Sequence, residues 1–370
     1  MVSSSFWSGR SVLLTGHTGF KGNWAALWLA SMGARVHGLA LAPTTTPNML
    51  ELVGTDHLAS HTLGDVRNRQ VVADIVARAK PEIVIHMAAQ ALVRRSYREP
   101  FDTLSTNIIG TATVLDALRS APNMKCILVV TSDKVYENRD DGHCFAEDDR
   151  LGGADPYSAS KAAAEIVTSS YARSFFQPNG VPVVTSRAGN VIGGGDWSED
   201  RLLPDVWRAV KANQSVELRH PKSTRPWQHV LEPLSGYLTF IEKTCADVSC
   251  HLPQALNFGP RDERPASVAE ITEIMNKALG VTAGWRQSPG AHPPEQSTLT
   301  IDAALANETL GWRARLSAEE AVQWTADWYR AHRQGASMRD FTLQQIGDYT
   351  TGNAMSGHEA LSQLSAPSWS

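Results

Sequence analysis

The chain has 370 residues, 42% hydrophobic and 19% charged, with a formal net charge of −4, which suits one large domain or two intimate ones around a sizeable core. The slightly negative balance excludes a general pull toward nucleic acid or an anionic membrane, so an anionic ligand must be met by a few placed cations. The four cysteines (Cys126, Cys144, Cys245 and Cys250) form no CxxC pair and the twelve histidines show no metal spacing, so neither a disulfide framework nor a metal site is expected.

Met1 to Arg10 contains no apolar leader core, and no stretch reaches the roughly 18 apolar residues of a membrane span; a cytoplasmic protein is expected. From Ser11 to about Arg187 short apolar runs alternate with helical patterns, the signature of a parallel α/β sheet. Strands are predicted at Val12–Thr15, Arg35–Leu41, Ser60–Leu63, Ile83–His86, Cys126–Thr131 and Val181–Arg187. Helices are predicted between them at Asn23–Met32, Val66–Ala79, Phe101–Arg119 and Tyr157–Phe176. Right-handed crossovers then give a Rossmann-type doubly wound sheet. Beyond Arg187 the rhythm breaks. Helices are expected at Leu202–Ala212, Glu232–Lys243, Val268–Leu279, Ala303–Leu310 and Ala318–Arg333, with a further strand at Ala255–Phe258 that rejoins the main sheet. The expected organisation is a dinucleotide-binding domain over 1–188, rejoined by about 229–260, and a smaller α/β substrate-binding domain from 189–228 and 261–350. Residues 351–370, rich in Ser, Gly and Ala, read as a poorly ordered tail.

The first strand runs into Gly16-His17-Thr18-Gly19-Phe20-Lys21-Gly22 and then a helix. Glycines at such a turn let the backbone approach a pyrophosphate, which the helix N-terminus favours through unpaired N–H groups and its dipole. The acid expected about 20 residues on is missing, since Val36 to Leu41 contains none, and no arginine follows that strand. These residues alone leave NAD and NADP both open. Asp65-Val66, past the third strand, offers a carboxylate that can accept from an adenine amino group or cap the following helix.

Tyr157 and Lys161 are four apart and share one helix face. A phenol titrates near 10, but a neighbouring ammonium and a cationic nicotinamide ring stabilise its phenolate and make it a usable base. One helix upstream, the strand ending at Thr131 delivers Ser132, Asp133 and Lys134 to the sheet's carboxyl edge, where ligands bind in such folds. Ser132 is placed to hydrogen-bond the substrate hydroxyl that Tyr157 deprotonates, Asp133 to supply a proton if kept dry, and Lys134 to act as a base if desolvated. Taken alone, this stretch reads as a solvated polar turn. An anionic ligand is met best by forked cations, for which Arg201, Arg225 and Arg286 are candidates, with Asn190 for a phosphate or hydroxyl group. Trp312, Trp324 and Trp328 read as core, and His86 as a packed strand end.

The set Gly16-x-x-Gly19-x-x-Gly22, Asp65-Val66, His86-Met87-Ala88-Ala89-Gln90, Asn107 and Tyr157/Lys161 resembles the extended short-chain dehydrogenase/reductase family. The resemblance implies a Rossmann domain that retains its cofactor, contacts from Thr18, Phe20, Lys21, Ala88, Ala89 and Gln90, and a mainly structural Asn107 among the cofactor-site residues. Within that family the strings Thr131-Ser132-Asp133-Lys134-Val135-Tyr136, Arg187-Ala188-Gly189-Asn190-Val191-Ile192-Gly193-Gly194-Gly195-Asp196-Trp197 and Arg225-Pro226-Trp227-Gln228-His229-Val230 are similar to the CDP-D-glucose 4,6-dehydratase branch. Relatives acting on dTDP-glucose or GDP-mannose carry glutamate where this chain has Lys134. The branch implies NAD, CDP-glucose or a related nucleotide-sugar as substrate, and a homodimer or higher homo-oligomer. The competing readings are another 4,6-dehydratase or a 4-epimerase of the same family, and a catalytically silent cofactor-binding regulator.

Overall fold

The computed structural model describes residues 2–246, 252–262, 264–282, 284–290 and 298–352. Cys250 and nearly all of the 351–370 tail lie outside them. Seven short strands form one parallel sheet: β1 (Ser11–Thr15), β2 (Arg35–Ala40), β3 (Ser60–Leu63), β4 (Ile83–His86), β5 (Cys126–Val130), β6 (Val183–Arg187) and β7 (Ala255–Asn257). Their order is β7-β6-β5-β4-β1-β2-β3. The central strands are buried along their whole length because helices cover both faces. Period-two alternation divides them: Val12, Leu14, Ile83, Ile85 and Leu128 enter one core, while Leu13, Val84, Ile127 and Val129 enter the other.

The chain runs outward from β1 to β3 and then returns to β4 on the opposite side of β1. Strand order therefore reverses between β1 and β4, and a crevice opens at their carboxyl ends. The fold is α/β and Rossmann-like, as the alternating runs indicate. The late strand β7 joins the sheet through β6, with Ala255 opposite Thr185.

The helices that matter to the crevice are α1 (Phe20–Ser31), α2 (Arg69–Ala79), α3 (Pro100–Leu104, a π-turn at Ser105–Ile109, then Gly110–Leu118) and α4 (Pro156–Tyr171). Further on come α5 (Leu202–Lys211), α6 (Leu231–Ala246), α7 (Val268–Leu279), α8 (Ala318–Arg333) and α9 (Met338–Thr351). Capping boxes at Ser267/Glu270 and Ser317/Glu320 fix the starts of α7 and α8. Trp312, Trp324 and Trp328 are buried in the core, as their spacing indicates.

The predicted helices need correction: α1 begins at Phe20, not Asn23, and α4 gives way after Tyr171 to a π-turn at Ala172–Phe176. Helix α2 begins at Arg69, not Val66, because the Asn68 side chain accepts from the Gln70 and Val71 N–H groups. Helix α9 is absent from the predicted elements, since its buried residues Met338, Thr342, Gln345, Ile346 and Tyr349 mix polar and apolar side chains. Among the described residues no helix is long and apolar enough to cross a membrane.

Candidate active site

The crevice at the β1/β4 switch is a cleft of about 540 Å³. A smaller cavity of about 170 Å³ adjoins it, and the two share Asn190, Val191, Asp196, Asp200, Arg201, Arg219 and Arg225 as lining.

At the cleft's start, Gly16 has φ +81°, a conformation that L side chains rarely adopt. Its N–H donates to the Leu39 carbonyl at 2.8 Å. A Cβ on Gly16 would lie 2.8 Å from the Ala88 nitrogen, and one on Gly22 only 2.1 Å from the Gly16 oxygen. The two glycines thus let loop, helix and the β4 exit collapse onto one another. Gly19 differs, since its absent Cβ would meet nothing closer than 3.4 Å. It caps α1 without a side-chain hydrogen bond, so the helix N-terminus stays open to an anion. This cradle fits a dinucleotide pyrophosphate. Thr18, Phe20, Lys21, Val66, Ala88, Ala89 and Gln90 line the same cleft.

Asp65 also faces the cleft, but its carboxylate is engaged. Arg67 donates to it from Nε at 3.0 Å and from Nη2 at 2.6 Å, and holds it below the usual carboxylate range. The helix-capping alternative for Asp65 falls to Asn68. Asn107 does not line the cleft: its side chain accepts from Gln90 N at 2.8 Å, donates to Gln90 O at 3.0 Å and donates to Ser160 Oγ at 2.8 Å. It braces the Gln90 loop against α4 rather than reaching a ligand. His86 is packed between Thr15 and Thr111 hydroxyls, and burial lowers it to about 3.

At the centre, Tyr157 stands in the first turn of α4, fixed by the Asp155 cap, which accepts from Ser158 N at 2.9 Å. The phenol hydrogen-bonds Ser132, yet burial is the larger influence and raises its pKa. Lys161, one turn on, is lowered to about 8 by burial, partly offset by Glu165. Its Nζ donates to the Val130 carbonyl at 3.1 Å. Burial outweighs the neighbouring charges, so the protein alone keeps the phenol neutral and leaves the ammonium predominant at pH 7. The stripe continues to Glu165, which ion-pairs with Arg187 at 2.9 Å, both side chains 5% exposed. Glu165 also accepts from the Thr131 and Thr185 hydroxyls at 2.5 and 2.7 Å. Sequence reasoning passed over this acid, although its i+4 spacing from Lys161 was a usable signal.

In the turn Ser132–Lys134 the serine and the aspartate are withdrawn from solvent, while Lys134 is half-buried. Ser132 and Asp133 are 4% and 1% exposed. Ser132 Oγ donates to Asp133 Oδ1 at 3.0 Å and accepts from Lys134 N at 3.2 Å. Burial raises the Asp133 pKa against the pull of Lys134, Ser132, Arg225 and Lys21. Lys21, predicted only as part of the loop, reaches Tyr237 Oη at 3.4 Å, and burial lowers it to about 7.

On the far wall, Asn190 has φ +44°, and its Nδ2 is buried without a hydrogen-bond partner among the described residues. Arg225 is buried, with a guanidinium N–H donated to the Thr224 carbonyl at 2.8 Å. Arg201 reaches across to the Ala91 carbonyl at 3.4 Å. Arg286 is not brought into the site. Two-thirds exposed, it pairs with Glu217 at 2.7 Å and lines neither cavity. Trp227 donates from Nε1 to the Ala266 carbonyl and lines the smaller cavity, and Trp197 lines the cleft.

The site can therefore hold a dinucleotide along β1 and β4 and present, to a substrate entering from the arginine side, a phenol, an ammonium and a buried carboxyl whose pKa is raised by burial. The chain is 43% identical to a CDP-glucose 4,6-dehydratase of Salmonella typhimurium over 94% of its own length and 98% of that protein's. It is 28% identical to a dTDP-glucose 4,6-dehydratase of Xanthomonas campestris, over 90% and 98% of the two. Its fold matches that of Bacillus anthracis dTDP-glucose 4,6-dehydratase in complex with NAD, with a TM-score of 0.73, 21% identity and coverage of 89% and 99%. The epimerase Mth375 of Methanothermobacter thermautotrophicus gives 0.79 at 21% identity, covering 91% and 96%. With the GDP-mannose 4,6-dehydratase family model matching residues 13–325, this chain belongs to that family of extended short-chain dehydrogenases/reductases.

Proposed function

We propose that the protein is an NAD-dependent hydro-lyase that converts CDP-glucose to its 4-keto-6-deoxy product. The observation that carries this reading is the convergence of a buried acid, a Tyr/Lys helix pair and a glycine cradle at one switch-point cleft. Similarity to the Salmonella enzyme over nearly the full length selects the substrate. Arg67, already engaged by Asp65 and Asp102, favours NAD over a 2′-phosphorylated cofactor.

Gly16, Thr18, Gly19, Phe20, Lys21 and Gly22 would hold the pyrophosphate, with Asp65, Val66, Ala88, Ala89 and Gln90 along the rest of the cofactor. When bound, the nicotinamide supplies the redox chemistry, taking up hydride from C4 of the sugar and returning it at C6. Tyr157, hydrogen-bonded to Ser132 and backed by the Lys161 ammonium, removes the C4 hydroxyl proton; the positive ring opposes the burial that otherwise keeps the phenol neutral. The resulting 4-ketone acidifies the C5 proton. Lys134 serves C5, as the base or as the cation that steadies the enolate. Asp133, kept protonated by burial, gives its proton to the C6 hydroxyl, which leaves as water. One proton returns to C5, so the net change is loss of one water with no net oxidation. Asn190, Arg201 and Arg225 meet the diphosphate and sugar.

A cytoplasmic homodimer through α3 and α4 completes the reading. Phe101, Ile109 and Ile166, exposed by 83%, 56% and 60%, stand on these adjacent helices; Ile166→Asp is expected to give monomers in light scattering, and an unchanged mass would reject that interface. For the activity itself, CDP-, dTDP-, UDP- and GDP-glucose are offered with and without NAD and the products weighed. Loss of water from the CDP sugar above the others supports the reading; an isomer without loss of water would make the protein an epimerase.

A further inference from the structure

We infer that Gly189 is a positioning residue for the elimination: the space where its side chain would stand is the seat of the Asp133 carboxyl. The inference rests on the proposed role of Asp133 as the acid at C6. Gly189 lies two residues beyond β6, the strand that pairs with β5, and Asp133 lies three residues beyond β5. It is not among the residues with positive φ, so this position demands glycine for room and not for backbone freedom. An ideal Cβ there would fall 1.6 Å from Asp133 Oδ2, 1.9 Å from Cγ and 2.3 Å from Oδ1. Covalently unlinked atoms cannot approach so closely, and the whole carboxyl is involved rather than the tip of a flexible chain.

Neither backbone is free to yield. Thr131 N donates to Ser186 O at 2.9 Å, tying the two strand ends together. The buried Gln228 side chain donates to the Gly189 carbonyl at 3.2 Å and to the Phe258 carbonyl at 2.9 Å. Any side chain at this position must therefore evict the carboxyl by rotating it. In its present seat Asp133 holds Oδ1 against the Ser132 hydroxyl and leaves Oδ2 with no hydrogen-bond partner among the described residues. Lys134 on its own turn, Arg225 from the 224–225 strand, Lys21 from α1, and Tyr157 and Tyr237 from α4 and α6 all sense this carboxyl. A carboxyl turned out toward the cations and water ionises more readily and loses the proton that elimination requires.

The test is the Gly189→Ala variant, with Asp133 read directly. Infrared difference spectra between each protein and its Asp133→Asn counterpart isolate the Asp133 carboxyl. The protonated-acid carbonyl band is expected at pH 7 in the parent and absent in G189A, with its titration midpoint moved to lower pH. In single turnovers, G189A is expected to slow elimination about 10²-fold or more while C4 oxidation stays near that of the parent. Because the clash in G189A also strains the fold, Asp133→Ala is combined with it. Adding G189A is then expected to leave the urea midpoint of D133A unchanged, since the carboxyl that the new methyl would strike is gone. An undiminished band and midpoint in G189A, or a destabilisation that persists in the double variant, overturns the inference. A parent enzyme that shows the band but never eliminates water would instead overturn the reading of the reaction, leaving the seat intact.

Discussion

Two stretches of chain meet at the catalytic centre and are secured by different physics. Tyr157, Lys161 and Glu165 form one stripe on α4, underpinned by a buried ion pair to Arg187 and by two threonine hydroxyls. Ser132 caps a single 3₁₀ turn that carries Asp133 and Lys134; its buried acid forms no ion pair among the described residues and is held by burial and the shape of its seat. The helix side keeps a charge inside the protein by setting a second, paired set of charges beneath it. On the turn side burial raises the pKa of the acid against the pull of Ser132 and the nearby cations. Both outcomes suit their chemistry: an ammonium that must stay positive, and an acid that must stay protonated.

The comparison breaks most visibly at Tyr157. Tyr157→Phe is expected to lower turnover by about 10²–10⁴-fold with an unchanged melting temperature; retention of activity would remove the phenol from the chemistry. Next comes the foundation of the helix side. Arg187→Met strands Glu165 as an unpaired buried charge and is expected to cost about 3–5 kcal/mol in urea unfolding. Asp133→Asn, by contrast, replaces a neutral carboxyl with a neutral amide and is expected to leave stability near that of the parent. Equal losses in the two variants would erase the distinction between the two sides.

A smaller effect separates them by pH. Burial holds Lys161 at about 8 in the folded protein, whereas an unfolded lysine titrates near 10.4. Between those values the unfolded chain binds more protons, so this residue makes stability rise with pH, by at most about 1.4 kcal/mol per unit. Below about 8 both states are protonated and the contribution is flat. Urea midpoints of the parent and Lys161→Met from pH 7 to 10 should diverge in this sense; parallel curves would mean that the ammonium is not desolvated. The smallest effect belongs to Arg286→Ala. An exposed pair with Glu217 is worth about 0–1 kcal/mol, and neither KM nor stability is expected to move. A raised KM would return Arg286 to the substrate site.

Much of this was legible in the sequence because it is local. Apolar runs end where the strands end, the glycine spacing opens α1, and Tyr157 and Lys161 share a face through helix period alone. What escaped depends on contacts between distant segments. Asp65 reads as an adenine acceptor or a helix cap until Arg67 turns back onto it and Asn68 takes the cap. Arg286 reads as a ligand until the 285–287 strand pairs beside Glu217. The Asp133 turn reads as solvated because nothing in its own residues reveals that the sheet edge and Gly189 close over it. Helix α9 escaped because its buried face mixes Thr342 and Gln345 with Ile346 and Tyr349, leaving no clean apolar period.

The most direct trial of the central claim follows one hydrogen. CDP-glucose carrying deuterium at C4 is turned over with unlabelled NAD, and the product is read by NMR. Internal return puts the label on C6 of the 4-keto-6-deoxy sugar, with solvent hydrogen at C5. Label lost to water, or a product that keeps deuterium at C4, would contradict it.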